Sequence, residues 1–142
     1  MQGSILSHTY EVNAGEFQTA GDASANIKRK LKQIGVSSDV LRRIAVASYE
    51  VELNLIIHSH GGKLMLDMTP TQIVLTSADV GPGIADISKA MQEGYSTASE
   101  EARDLGFGAG MGLPNMKRNA DTFSIESELG KGTTIQMGFN LK

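Results

Sequence analysis

The chain has 142 residues, of which 40% are hydrophobic and 20% charged, a composition typical of one soluble globular domain with its own core. Its net charge is −3 and it has no long basic run, which argues against nucleic-acid binding as the main task. It contains no cysteine, and no apolar stretch approaches the roughly 20 residues of a membrane-spanning helix. The N-terminus shows no basic region followed by an apolar run. We therefore expect one cytoplasmic domain, residues 1–142, that binds neither nucleic acid nor membrane.

The first part of the chain predicts a strand and a helix. Residues 4–13 alternate apolar and polar side chains, as in an edge strand. Apolar residues from Glu16 to Ile34 recur at helical spacing, and Gly35 is expected to end that helix. His8 has no partner in view, so we expect a structural role for it.

A second helix, from an N-cap offered by Ser37-Ser38-Asp39 to about His58, carries candidate chemistry. Glu50, Asn54 and His58 lie at i, i+4 and i+8 and form one ridge. Two interpretations stay open for it: an internal hydrogen bond between Glu50 and Asn54, or a carboxylate and an amide that face a pocket, where Asn can hold a hard cation. Glu52 points to the opposite side and is predicted to be solvated. The apolar stripe expected in the core is Val40, Leu41, Ile44, Ala47, Val51 and Leu55.

Residues 63–68 and 72–77 alternate like two strands, and the second leads into Asp79-Val80-Gly81-Pro82-Gly83-Ile84. A carboxylate at a strand end, before a glycine-forced turn, is placed to accept hydrogen bonds from a ligand's amino group. A generic turn with a solvated aspartate is an equally good interpretation of this motif alone. His58 and His60 lie at i, i+2 without a third ligand nearby, so they do not predict a metal site.

Residues 86–93 predict a short helix, and the polar, glycine-bounded segment 94–103 predicts either a mobile lid over a pocket or a plain surface loop. In residues 105–113 glycines alternate with larger side chains, before Pro114 opens a helix to about Ala120. Converging N–H groups at a helix start describe a phosphate cradle, with a flexible linker as the alternative. Two last strands, at 122–127 and 133–140, flank a turn at 128–132.

Four motifs in this order resemble a known family. They are Glu-x-x-x-Asn-x-x-x-His (Glu50 to His58), Asp-x-Gly-x-Gly-Ile (Asp79 to Ile84), Gly-x-Gly-x-Gly-Leu (Gly108 to Leu113) and Gly-Thr (Gly132-Thr133). They resemble the N, G1 and G2 boxes and the closing Gly-Thr of the GHKL (Bergerat) ATP-binding fold shared by gyrase, Hsp90, histidine kinases and MutL. The resemblance covers about residues 37–137 and is strongest to the bacterial anti-sigma-factor serine kinases and stress-module switch kinases. It implies a two-layer α/β sandwich whose mixed, mainly antiparallel sheet has helices on one face.

The resemblance also implies roles for residues. Glu50 would be the catalytic general base, and Asn54 would hold the Mg²⁺ that bridges the phosphates of ATP or ADP. Asp79 would accept from the adenine amino group, and Thr133 would support that contact directly or through water. The other implied cofactor-binding residues are His58, Gly81, Gly83, Ile84, Gly108, Gly110, Met111, Gly112 and Leu113.

The function implied is that of an ATP- and Mg²⁺-dependent protein serine/threonine kinase in a partner-switching module. It would phosphorylate a serine on a small anti-anti-sigma-type antagonist, and it would hold a sigma factor or another regulator in the alternate state. A homodimer is left open. The alternative is a nucleotide-dependent binding module with little phosphotransfer. One departure favours it: several anti-sigma kinases carry an arginine just before the final glycines, where this chain has Gly108 and Ala109, and the nearest arginine is Arg103. An ATP-binding domain detached from a histidine kinase is the weakest alternative, since no helical hairpin with a phospho-acceptor histidine fits.

Overall fold

The computed structural model of the protein describes residues 5–84, 87, 91 and 112–141, apart from the side chain of His58. The predicted helix at 86–93, the segment 94–103 and the glycine run up to residue 111 therefore lie outside the described residues, apart from Ile87 and Met91. No helix in the described ranges is both long and apolar enough to cross a membrane.

Five strands form one open sheet in the order β1-β2-β3-β5-β4, and each neighbouring pair is antiparallel. The first strand lies at an edge, as its sequence predicts. β3 runs two residues further than predicted, so Asp79 is the last residue of the strand rather than part of the turn. The strands are β1 (Leu6–Val12), β2 (Gly62–Met68), β3 (Gln72–Asp79), β4 (Thr122–Glu128) and β5 (Gly132–Asn140).

Alternation gives this sheet one apolar face, and the helices cover it. Cross-strand partners such as Leu66 and Leu75 share that face, and both are fully buried. The opposite face carries residues such as Thr134 and Gln136, which are exposed. The result is the two-layer α/β sandwich that the motifs imply, with a fully antiparallel sheet in the described part. The buried apolar strand residues are Val12, Leu64, Leu66, Met68, Ile73, Leu75, Ile135, Met137 and Phe139.

The first predicted helix is wrong in its first turns. Phe17–Thr19 is a short 3-10 helix, and the α-helix α1 covers Asp22–Gln33. Gly21 separates them because it is the N-cap of α1 with a φ of +98°, a left-handed conformation that cannot continue a helix. The predicted end is confirmed, since Gly35 has a φ of +89° and follows the last turn.

The second helix, α2 (Ser38–His58), begins and ends where the sequence predicts. Ser37 caps it, with its side chain accepting from the backbone N–H of Val40. All six residues of the predicted apolar stripe are buried. A third helix, α3 (Gly112–Asn119), begins two residues before the predicted Pro114 and packs against α2.

The prediction that Glu52 is solvated is wrong. Glu52 is 2% exposed, and its carboxylate accepts the backbone N–H groups of Gly21 and Ala23 at 3.1 and 3.2 Å and of Ser24 at 2.9 Å. These donors belong to the first turn of α1, where backbone N–H groups have no partner within the helix. The side of α2 opposite Glu50 faces α1 and not solvent, so Glu52 caps α1 from a neighbouring helix.

Candidate nucleotide-binding site

The end of α2, the turn after β3 and the start of β5 meet through backbone contacts. His60 donates its backbone N–H to the carbonyl of Val80 at 2.7 Å, and Val80 donates to the carbonyl of Gly61 at 3.1 Å. A Cβ on Gly81 would lie 3.2 Å from the Cα of Ser59, so the turn lies directly against the end of α2. The N and G1 motifs are therefore neighbours in space, as their resemblance to one nucleotide site requires.

Asp79 and Thr133 are in direct contact. The backbone N–H of Thr133 donates to Oδ1 of Asp79 at 2.9 Å. A Cβ on Gly132 would lie 2.1 Å from the Asp79 carbonyl oxygen, so only glycine lets β5 come this close. Hydrogen bonds from the described residues to the Asp79 carboxylate use Oδ1, which leaves Oδ2 to meet a ligand.

Partial burial raises the pKa of Asp79, and the Thr133 N–H and the charge of His60 act in the opposite direction. A carboxylate that is partly desolvated has lost some of its hydrogen bonds to water. It is therefore suited to accept a hydrogen bond from a polar ligand group that enters the site.

The turn after Asp79 is forced by glycine, as predicted, and it packs on the β4–β5 turn. Gly83 has a φ of +76°, and a Cβ there would lie 2.5 Å from the carbonyl oxygen of Glu128. Gly81 donates its N–H to the carbonyl of Lys131 at 3.2 Å, and Gly130 donates to that of Pro82 at 2.9 Å. The turn after β3 and the β4–β5 turn are thus hydrogen-bonded to each other beside Asp79.

Ser127, at the end of β4, is a residue of this site that the sequence motifs did not identify. Its Oγ accepts the backbone N–H of Ile84 at 2.7 Å and lies 2.8 Å from Oγ1 of Thr133. It connects the far end of the glycine turn to the residue that contacts Asp79. The only sequence signal was its place in the last hairpin, where it is the direct cross-strand partner of Thr133.

Glu50 lies on α2 against the first turn of α3. A Cβ on Gly112 would lie 3.4 Å from Oε2 of Glu50, so the carboxylate lies close to the first turn of α3. Burial raises the pKa of Glu50, and the hydrogen bond with Asn115 lowers it. In the described part of the chain Glu50 thus lies against α3, and it does not form the internal pair with Asn54, which was one of the two interpretations left open.

The remaining predicted residues are placed only in part. Asn54 is half-buried one turn after Glu50, Ile84 is half-buried, and Leu113 is buried at the start of α3. Gly108, Gly110 and Met111 lie outside the described residues, so the phosphate cradle is described only from Gly112 onward. The described ranges contain no group of three or more His, Cys, Asp or Glu that could hold a metal ion.

A single amide oxygen, that of Asn54, fits a Mg²⁺ ion that arrives with a nucleotide better than a metal ion held by protein ligands alone. Mg²⁺ in phosphoryl-transfer sites is held by one or two protein oxygens, several waters and the phosphates themselves. The half-buried amide of Asn54, one turn from Glu50, can supply such an oxygen.

The fold and this site define an ATP-binding domain. The chain belongs to the histidine kinase-like ATPase domain family, whose model matches residues 16–139. It is 33% identical over 109 residues to the serine/threonine-protein kinase RsbT of Bacillus subtilis (strain 168), an alignment that covers 74% of this chain and 76% of the relative. It is 34% identical over 110 residues to the anti-sigma F factor of Thermoanaerobacter sp. (strain X514), covering 74% and 73%. The anti-sigma F factor of Geobacillus stearothermophilus is 29% identical over 121 residues, covering 81% and 80%.

These relatives confirm the resemblance drawn from the four motifs, and they support the protein-kinase class. The matched region runs from the 3-10 helix before α1 to the end of β5. It therefore includes both Glu50 and Asp79.

Proposed function

We propose that the protein is a cytoplasmic, Mg²⁺-dependent protein serine/threonine kinase of a partner-switching module, which phosphorylates a serine on a small antagonist protein. The observation that carries this proposal is the position of Glu50, a partly buried carboxylate against the first turn of α3. The named relatives, a serine/threonine-protein kinase and anti-sigma factors, support the choice of substrate class and of a sigma factor or similar regulator as the second partner.

At the adenine end, Asp79 accepts a hydrogen bond from the exocyclic amino group through Oδ2. Thr133 and Ser127 hold the other oxygen and the glycine turn in place. Guanine carries a carbonyl oxygen at the equivalent position, which would face the carboxylate without a proton between them. The proposal therefore includes a preference for adenine nucleotides.

At the phosphate end, the amide oxygen of Asn54 would hold the Mg²⁺ ion, and the first turn of α3 would face the phosphate groups. A Mg²⁺ ion bound there supplies neutralisation of the phosphate charge. The N–H groups of Gly112 and Leu113 begin a helix and have no intrahelical acceptor, so they favour an anion at this position.

Glu50 acts as the general base. Its carboxylate takes the proton from the serine hydroxyl while the serine oxygen forms a bond to the γ-phosphorus, and the bond between that phosphorus and the β–γ bridging oxygen breaks. The products are phosphoserine and ADP, with the proton on Glu50. The upward pKa shift caused by burial brings this carboxyl nearer to neutral pH, where a base is more effective.

The proposal is tested by phosphotransfer from radiolabelled ATP to purified candidate antagonist proteins. Glu50→Gln should lower the rate by about 10²- to 10⁴-fold, because only the proton acceptor is removed. Glu126→Gln is the matched control, since Glu126 lies exposed on the outer face of β4. Equal rates for Glu50→Gln and the native protein would contradict the assignment of the base.

The second candidate function is a nucleotide-dependent binding module, which the missing arginine at Gly108 and Ala109 favours. In that case a pull-down of the antagonist would depend on ATP or ADP, and no phosphoprotein would form with any antagonist. Both results are measured in the same reaction mixture: the pull-down reports antagonist binding, and the radiolabel reports phosphoprotein.

A further inference from the structure

We infer that Ser59 is a positioning residue of the nucleotide site: its hydroxyl ties the end of α2, just after Asn54, to the connection that packs on the turn after Asp79. It thereby sets the separation between the two ends of the site, the amide of Asn54 and the carboxylate of Asp79. Its role towards a nucleotide rests on the proposed function, in which these two residues bind the same ATP molecule. The contacts of Ser59 themselves belong to the ligand-free fold.

Ser59 is the C-cap residue of α2, and its hydroxyl bridges two backbone groups. Its Oγ donates to the carbonyl of Leu55 at 2.5 Å and accepts the N–H of Gly61 at 2.9 Å. The Leu55 carbonyl lies in the last turn of a helix, where side chains often complete the hydrogen bonding of the backbone. The backbone of Ser59 itself is already extended, with a φ of −127° and a ψ of 177°. Since the residue is buried, this hydroxyl fixes the path by which the chain leaves α2.

The residues that follow Ser59 are bonded to the turn after β3 in both directions. The N–H of His60 donates to the carbonyl of Val80 at 2.7 Å, and the N–H of Val80 donates to the carbonyl of Gly61 at 3.1 Å. A Cβ on Gly81 would lie 3.2 Å from the Cα of Ser59, so the turn and the end of α2 are in close backbone contact. Gly61 thus receives the hydroxyl bridge through its N–H and holds the turn through its carbonyl.

Asp79, by contrast, is held by the sheet. It pairs with Gly62 on β2, where a Cβ would lie 2.8 Å from the Cα of Asp79 and 2.4 Å from the carbonyl oxygen of Ala78. On its other side the N–H of Thr133 donates to Oδ1. Removal of the Ser59 hydroxyl should therefore leave the carboxylate in place and loosen only its link to the end of α2.

A nucleotide that reaches both ends of the site gains full affinity only when their separation matches its own length. Once one end is bound, binding at the other is intramolecular, and this advantage falls when the two ends are misplaced or move relative to each other. Loss of the Ser59 bridge should weaken the binding of ATP with Mg²⁺, which contacts both ends. It should spare adenosine, which has no phosphate and reaches only Asp79. A serine that only stabilised the helix end would change the melting temperature and not the ratio of these two affinities.

The test measures the Kd of the full chain for ATP with Mg²⁺ and for adenosine, by NMR titration of the native protein and of Ser59→Ala. The Kd for ATP should rise about 5- to 10-fold, and the Kd for adenosine should change less than about 2-fold. Ser48→Ala is the matched control, since Ser48 is also a buried serine of α2 but its Oγ donates to the carbonyl of Ala45 in the same helix, at 3.3 Å. It should leave both Kd values unchanged. Thermal melts verify that each variant is folded.

Amide hydrogen exchange measures the bridge itself without any nucleotide. In Ser59→Ala the N–H groups of Gly61 and Val80 should exchange faster, while that of Thr133 should stay protected. Unchanged exchange at Gly61, or an equal change in the Kd values for ATP and adenosine, would overturn the inference and leave the proposed function standing. A native protein that binds no ATP would give a different result: it would reject the proposed function, and with it the role of Ser59 towards a nucleotide.

Discussion

The backbone N–H of Thr133 donates to Oδ1 of Asp79 across a sequence separation of 54 residues. This bond joins the ends of two neighbouring strands, β3 and β5, and holds one oxygen of the carboxylate. A residue that a motif search treats as a lone ligand is in fact oriented by the strand beside it.

Gly132 makes that approach of the two strands possible, and its replacement should separate them. In Gly132→Ala the new Cβ would overlap the Asp79 carbonyl oxygen, 2.1 Å away, so we expect a loss of about 3 kcal/mol or more in the free energy of unfolding. Gly130→Ala is the control, because Gly130 also has a positive φ, +79°, but has open space around it. It should cost only about 1 kcal/mol of backbone strain. Urea denaturation measures both, and equal losses would show that the close approach is unimportant.

Asp79→Asn should abolish adenine-nucleotide binding without damaging the fold. The amide oxygen of asparagine can still accept from Thr133, but its NH₂ group would face the adenine amino group, donor against donor. For the native protein, ATP at about 100 times its Kd should add about 2.7 kcal/mol, seen as a higher melting temperature. That shift should disappear in Asp79→Asn and persist in Asp67→Asn, where the aspartate lies on the outer sheet face beside Ser7. A retained shift in Asp79→Asn would place adenine elsewhere.

Ser127→Ala should weaken nucleotide binding through the turn that it holds. The Ile84 N–H would lose its acceptor and Thr133 its hydroxyl partner, so we expect a stability loss of about 1 kcal/mol and ATP binding weakened several-fold. Ser124→Ala, three residues earlier and on the exposed face of β4, is the control. Calorimetric titration with ATP compares the two variants, and identical affinities would leave Ser127 with a role in folding alone.

Glu52→Gln should destabilise the protein although it touches no part of the site. Its three backbone donors would lose a charged acceptor, and the new NH₂ group would point at one of them, for an expected cost of about 2 kcal/mol. The same change at exposed Glu126 should stay within about 0.5 kcal/mol. Hydrogen exchange adds a local measurement: protection of Ala23 and Ser24 should fall in Glu52→Gln, and unchanged protection would contradict the cap.

Glu50→Gln should make the ligand-free protein more stable at neutral pH. Because the folded-state pKa of Glu50 is raised, folding favours its protonated form, and the ionised form carries a desolvation cost at pH values above that pKa. Glutamine avoids this cost and can still accept from Asn115. The gain should therefore shrink as the pH falls through the folded pKa, where the native carboxyl becomes neutral too. Urea titrations from pH 7 down to pH 4 test this, and a gain that does not depend on pH would exclude ionisation as its cause.

Much of the fold could be predicted because the spacing of apolar residues shows which face of a helix or strand is buried. The stripe of α2 and the alternation in β2, β3 and β5 predicted the correct elements, and Gly35 predicted the end of α1. The N-cap of α2 is Ser37, one of the three adjacent residues that the sequence offered for it. The stretch before Gly21 was wrong because an apolar pattern does not reveal a left-handed residue inside it. β3 was two residues too short because Asp79 reads as turn chemistry, while its pairing with Gly62 places it in the sheet.

The sequence motifs predicted candidate residues for the site, but they did not predict which residues contact one another there. Spacing along α2 gives the side on which a residue lies and not what covers that side, so Glu52 was assigned to solvent when α1 lies there. Ser127 contacts residues distant in sequence, and Glu50 meets the first turn of α3. These contacts depend on strand register and on how α3 packs on α2. Both are products of tertiary packing, which no local pattern contains.

Glu50 and Glu52 are two positions apart on α2, so their side chains leave the helix about 200° apart. One reaches the start of α3 and the other the start of α1. Any turn of α2 about its own long axis would have to break the cap on α1 before it could re-aim Glu50, the base in our proposal. The orientation of the Glu50 side chain therefore depends partly on the Glu52 carboxylate, which lies on the opposite side of α2, against α1.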